Sequence, residues 1–109
     1  MYLDVSGPFS NSASITIMGV LLGVKKVTFT ELCTAVGIPK SSLNRHLAML
    51  EELSFVKQSR GFKFAVPGPR KFIEITPEGE QAVRAHLELI RRAVEGLLSS
   101  QSAAASKES

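Results

Sequence analysis

Leucines at 43, 47 and 50 in the stretch "GIPKSSLNRHLAML", residues 37–50, fall on one narrow stripe when the chain turns by about 100° per residue, as an α-helix does. Leu53 lies at the margin of that stripe, and Ser41, Arg45, Ala48 and Glu52 point the opposite way. Lys40 and Asn44 flank the outward face on one side, and Ser42, His46 and Met49 flank it on the other. Such a helix packs by one face and presents hydrogen-bond donors on the other. Gly37, Ile38 and Pro39 stand directly before it, and a glycine able to take a left-handed conformation followed by a proline predicts a tight turn out of an earlier helix. Two helices held at a short turn, the second with an exposed polar face, form a helix-turn-helix, and the rest of the chain has to fold around it.

The upstream segments supply the scaffold. From Ser14 to Val24 the chain is apolar almost all round, which predicts a helix buried on more than one side. "KKVTF" reads as a short extended piece, and Thr30 followed by "ELCTAVG" as a capped short helix stopped by Gly37. The opening "MYLDVSGPFSNS" has no helical period, so residues 1–13 are expected to form an N-terminal arm.

Downstream, "FVKQSR" and "KFIEI" alternate apolar with polar as half-buried strands do. Between them "GFKFAVPGPR" carries Gly61, Pro67, Gly68 and Pro69, so the strands are expected to form a hairpin with an extended tip. Thr76 then caps a long helix with Pro77 at its first position and Glu78 and Glu80 in its first turn, where negative charge suits the helix dipole. That helix is expected to span 77–98. Val83, Leu87, Ile90, Val94 and Leu97 step alternately by four and three, the spacing of a coiled-coil seam, and Ala82, His86, Leu89 and Ala93 run beside them. The apolar band is wider than packing on one domain requires, which predicts a partner helix. Residues 99–109, "SSQSAAASKES" from Ser99, lack large apolar side chains and are expected to be a disordered tail.

Charge is unevenly placed along the 109 residues. Between 39 and 71 stand seven bases (Lys40, Arg45, Lys57, Arg60, Lys63, Arg70 and Lys71) against Glu51 and Glu52, a local +5; the remainder carries six bases against eight acids, a local −2. A basic middle implies a surface for a polyanion. Cys33 is the single cysteine, so neither an intrachain disulfide nor a thiolate zinc cluster is available, and a reducing cytoplasm is the expected location. An isolated thiol with no second cysteine to resolve it is read as a buried small side chain rather than an oxidation sensor. The apolar run at 15–24 falls short of the roughly 20 residues of a membrane span, and no basic residue or cleavage site marks it as a secretory leader. No catalytic constellation or glycine-rich phosphate loop is present, so neither enzyme activity nor a cofactor or metal is expected.

The order helix, helix, turn, helix, hairpin, long helix resembles the winged helix-turn-helix transcriptional regulators, the broad class that includes MarR-like and ArsR-like repressors. "LNRHLAMLEELSFV" carries the likeness, and "ITPEGEQAV" is similar to the class's junction between the second wing strand and the last helix. Ser54 stands where a glycine is common, and the two prolines after Gly61 depart from the usual wing. The resemblance implies a mainly α fold with a small β-hairpin wing: a winged helix-turn-helix domain over 14–76 and a C-terminal dimerisation helix. It implies a homodimer on double-stranded DNA, with Ser41, Ser42, Asn44 and Arg45 facing the groove and His46 on a phosphate. Arg45 and Asn44 have the chemistry for guanine and adenine edges, and Lys40 suits a phosphate. Arg60, Lys63, Arg70 and Lys71 give the wing a DNA-contacting role. Val83, Leu87, Ile90, Val94 and Leu97 are the expected dimer interface. The other open reading is a winged-helix protein-interaction or assembly module, which has no need of bases on both the presented helix and the hairpin. Operator, effector and direction of regulation are not legible in the sequence.

Overall fold

A computed structural model describes residues 11–65 and 67–108; apart from 11–13, the expected N-terminal arm lies outside them. The order is α1 (Ser12–Val24), β1 (Lys26–Thr28), α2 (Phe29–Val36), α3 (Lys40–Glu52), β2 (Val56–Phe62), β3 (Pro69–Ile75) and α4 (Pro77–Glu108). This is the expected mainly α fold with a hairpin wing, with β1 added as a third strand. The strands form an antiparallel sheet in the order β1-β3-β2.

Local chemistry sets the boundaries. Asn11 caps α1, its side chain accepting from Ala13 N at 2.7 Å, so the helix begins two residues earlier than the apolar run alone predicts. The cap of α2 is Thr28, not Thr30: Thr28 Oγ1 accepts from Glu31 N while the Glu31 carboxylate accepts from Thr28 N, a reciprocal capping box that satisfies two otherwise orphaned donors. Gly37 ends α2 at φ 75° as expected. Thr76 Oγ1 accepts from Gly79 N at 2.9 Å and caps α4 as expected.

The core is one cluster: Ile17, Met18 and Leu21 of α1, Leu32 of α2, Leu43, Leu47 and Leu50 of α3, Val56, Ile73 and Ile75 of the sheet, and Val83 of α4. The α3 leucine stripe is therefore buried as its spacing predicts. Val83 is only 1 % exposed inside its own domain, which removes it from the expected dimer interface. A seam toward a partner and a seam toward the chain's own core have the same period, and the first turns of α4 lie against α1.

Beyond those turns α4 continues past Leu98 to Glu108, through the segment expected to be disordered. Ala103, Ala104 and Ala105, with Gln101, Lys107 and Glu108, have high helix propensity, and extending an existing helix avoids the cost of nucleation. The molecule measures 66 × 28 × 26 Å, since about 48 Å of helix cannot be contained in a domain of this size.

The junction of α4 with the wing depends on Gly79. A Cβ there would lie 2.0 Å from the carbonyl oxygen of Phe55, and that oxygen already accepts from Thr76 N at 3.0 Å. Backbone on both sides leaves nothing soft to yield. Gly79→Ala is expected to destabilise the fold by about 2 kcal/mol or more, read as a lower denaturant midpoint at unchanged slope. An unchanged midpoint contradicts this account of the junction.

Candidate nucleic-acid interface

The turn at 37–39 and the buried leucines fix which side of α3 faces outward. Lys40, Ser41, Asn44 and Arg45 are exposed, whereas Ser42 and His46 are half-buried. His46 Nδ1 and Ser14 Oγ share a hydrogen bond of 3.4 Å, and Ser14 is fully buried, so the imidazole is engaged with α1. Pro39 precedes α3 without a side-chain cap, which leaves the first-turn N–H groups available to an anion.

The wing register decides which basic residues join that face. Val56 pairs with Ile75, Gln58 with Ile73, Arg60 with Lys71 and Phe62 with Pro69, and alternation places these pairs on one face of the hairpin. Its inner end is core and its outer end is basic. Lys71 Nζ donates to Asn44 Oδ1 at 3.2 Å and lies 4.9 Å from the centre of the Phe29 ring, tying the wing, α3 and the start of α2 together. Asn44 thereby has its amide oxygen held and its orientation fixed by a residue of the wing. Arg60 lies across from Lys71, beside a shallow groove also lined by Gln58 and Ser59.

Arg70 belongs to the opposite face, with Phe72 and Glu74. There Lys26 sits 5.2 Å from the Phe72 ring centre, and Lys57 pairs with Glu74 at 3.7 Å. Lys63 donates to Glu31 at 2.7 Å, and that ion pair, with the hydroxyl and backbone N–H of Thr28, lowers the Glu31 carboxyl to about 2. Glu31 thus serves both the α2 cap and the wing. The wing bases are legible in the sequence, but this division of them is not. Arg60 and Lys71 extend the α3 surface, Arg70 is turned to the other face, and Lys63 is bound to an acid remote in sequence.

Along α4, Leu87, Ile90, Val94 and Leu97 are exposed, from 38 % at Ile90 to 61 % at Leu97, and so are Leu89 and Leu98. Ion pairs joining Arg84 to Glu80, Arg91 to Glu88 and Glu95, and Arg92 to Glu88 occupy the other side of the helix. The helix is thus solvated on one side and uncovered apolar on the other. Among the described residues no helix is long and apolar enough to cross a membrane, and no group of three or more His, Cys, Asp or Glu is placed to hold a metal. Cys33 Sγ is half-buried and donates to the Ile38 carbonyl at 3.1 Å.

Residues 14–94 match the family described as the winged helix DNA-binding domain. No curated protein sequence matches the chain. Among solved structures, a transcriptional regulator homologue from Pyrococcus horikoshii OT3 superposes with a TM-score of 0.74 at 24 % identity, over 83 % of this chain and 87 % of that one. MepR, a transcription regulator of the Staphylococcus aureus multidrug efflux pump MepA, gives 0.68 at 18 % identity, over 83 % and 64 %. The transcriptional regulator BldR from Sulfolobus solfataricus gives 0.65 at 21 % identity, over 82 % and 61 %. At these identities the likeness establishes the fold.

Proposed function

Because the chain belongs to the winged helix DNA-binding domain family, we propose that it is a transcriptional regulator that binds specific sequences in double-stranded DNA as a homodimer. The observation that carries this reading is the continuous surface made by the outward face of α3 and the basic end of the wing, joined by the hydrogen bond from Lys71 to Asn44. An α-helix fits the major groove, and the two exposed side chains at its centre, Asn44 and Arg45, match the edges of adenine and guanine. Lys40 and the uncapped start of α3 suit phosphate, as do Arg60 and Ser41 at the margins. Lys63 reaches phosphate by exchanging its surface ion pair with Glu31, a kind of pair that contributes little in water.

The apolar side of α4 supports the dimer. Leu87, Ile90, Val94 and Leu97 face solvent in the lone chain, on the side of the helix away from its ion pairs. Two such helices about a two-fold axis bury each other's stripe and set two copies of α3 on one side of a duplex. Nothing in this arrangement requires a cofactor.

Selection of bound sites from random duplexes tests the assignment of roles. Arg45→Ala and Asn44→Ala are expected to relax base preference, each losing about 1–3 kcal/mol of discrimination at the contacted position. Arg60→Ala and Lys63→Ala are expected to weaken all sequences alike. If the Arg45→Ala protein selects the parent's site with the parent's preference, α3 is not the reading element. A chain that retains no duplex at low salt has the other role open to this fold, docking to protein.

A further inference from the structure

The basic row of the wing ends in two phenylalanines. Phe62 is 79 % exposed and Phe64 98 %, although both are apolar and stand in a domain whose other aromatic side chains of the sheet and α2, Phe72 and Phe29, are half-buried under lysines. Phe62 closes the strand face that carries Arg60 and Lys71, opposite Pro69, and that face leads back to Asn44 of α3. Phe64 follows two residues later. Ala65 at φ 64° and Gly68 at φ 81° take left-handed backbone beyond it, and both rings stand exposed near the end of the hairpin. Exposed rings at the end of a basic arm are costly in water and have no packing role in the lone domain.

From this placement we infer that the wing tip is an apolar wedge for duplex DNA: Phe62 and Phe64 enter the minor groove and unstack a base step there, bending the duplex around the protein. The inference rests on the DNA-binding reading and adds a deformation step to it. Charge selects the occupant. Arg60 and Lys71 on the same strand face, with Lys63 between the rings in sequence, bring the tip to a polyanion and repel a basic protein surface. Aromatic side chains have the flat apolar shape that inserts between base pairs, whereas a purely electrostatic wing needs only cations. The unstacking cost falls on flexible pyrimidine–purine steps least, so the wedge also confers preference at positions that α3 does not touch.

The test compares the parent with Phe62→Ala/Phe64→Ala and with Phe62→Leu/Phe64→Leu, using a duplex that the parent selects from a random pool. Both positions are exposed, so neither pair threatens the core. Bending is read from gel mobility with the site moved along a fragment of fixed length, and affinity from titration. The alanine pair is expected to bind without the parent's bend and roughly ten- to a hundredfold more weakly, and the leucine pair to keep most of both. An alanine pair that binds as tightly as the parent with the same bend overturns the wedge and leaves the DNA-binding reading intact. Equal weakening of both pairs with the bend unchanged also overturns it. A folded parent that retains no duplex at all overturns both readings together.

Discussion

Duplex binding by this protein is expected to fall by about three or more orders of magnitude between roughly 50 and 200 mM salt, given about six to ten phosphate contacts shared by two subunits. That number of contacts follows from where the bases stand. Lys40 is exposed on α3, Arg60 and Lys71 extend the same surface along the wing, and Lys63 lies near the tip. Each phosphate neutralised releases close to one condensed counterion, so the logarithm of the affinity falls linearly with the logarithm of the salt concentration. The two acids of the basic stretch, Glu51 and Glu52, sit at the far end of α3, and Glu31 of α2 is occupied by Lys63. The measurement is a titration of one duplex at several salt concentrations. A slope near zero would falsify the DNA-binding reading, because a surface this basic cannot bind a polyanion without displacing its counterions. Replacing Arg60 by alanine should reduce the slope by about one contact per subunit.

Much of this surface is legible in the sequence because its causes are local. The spacing of Leu43, Leu47 and Leu50 fixes the outward face of α3, Gly37 and Pro39 fix the turn, and Thr76-Pro77 fixes the start of α4. The capping box on α2 was equally local. Thr28 and Glu31 have the three-residue spacing that such a box requires, and Thr30 lacks it. Other features depend on residues far apart in sequence. Lys63 looks like a free cation until Glu31 is placed beside it, and Arg70 looks equivalent to Lys71 until the strand register turns them to opposite faces. Gly79 reads as an ordinary helix glycine until Phe55 comes to lie against it. Phe62 and Phe64 read as core side chains by residue type alone, yet both stand exposed near the end of the hairpin, beyond the polar pair positions of Gln58 and Arg60. The heptad in α4 does not tell residues packed on their own domain from uncovered ones, and one turn along the same seam separates buried Val83 from exposed Leu87.

That division makes the dimer separable from the fold. Leu87→Glu with Ile90→Glu is expected to yield a folded monomer, because both side chains are exposed in the lone subunit and neither belongs to the core cluster. In the proposed dimer each large apolar side chain covered by the partner contributes roughly 1 kcal/mol, since it is already partly covered in the lone chain, and a glutamate in its place adds an unpaired charge at a desolvated seam. Four such residues per subunit, Leu87, Ile90, Val94 and Leu97, form the stripe, so replacing two of them in each helix removes nearly half of its apolar contribution and puts four carboxylates into the seam. Sedimentation should report the monomer mass, and the denaturant midpoint of the monomer should be independent of protein concentration. The parent's midpoint should rise with concentration, since association stabilises only the folded state. DNA binding should weaken far more than any single contact on α3 explains. On the proposed dimer the two α3 helices would engage half-sites about ten base pairs apart, or a multiple of that, as one ligand, whereas separate monomers would lose the second site's effective concentration, a factor of about 10²–10⁴. Lys40, Ser41, Asn44 and Arg45 are untouched by the substitutions, so the monomer should retain the parent's base preference within a half-site. A double variant that stays dimeric shows that α4 is not the interface. A monomer as tight on the full site as the parent shows that dimerisation is not what sets the affinity.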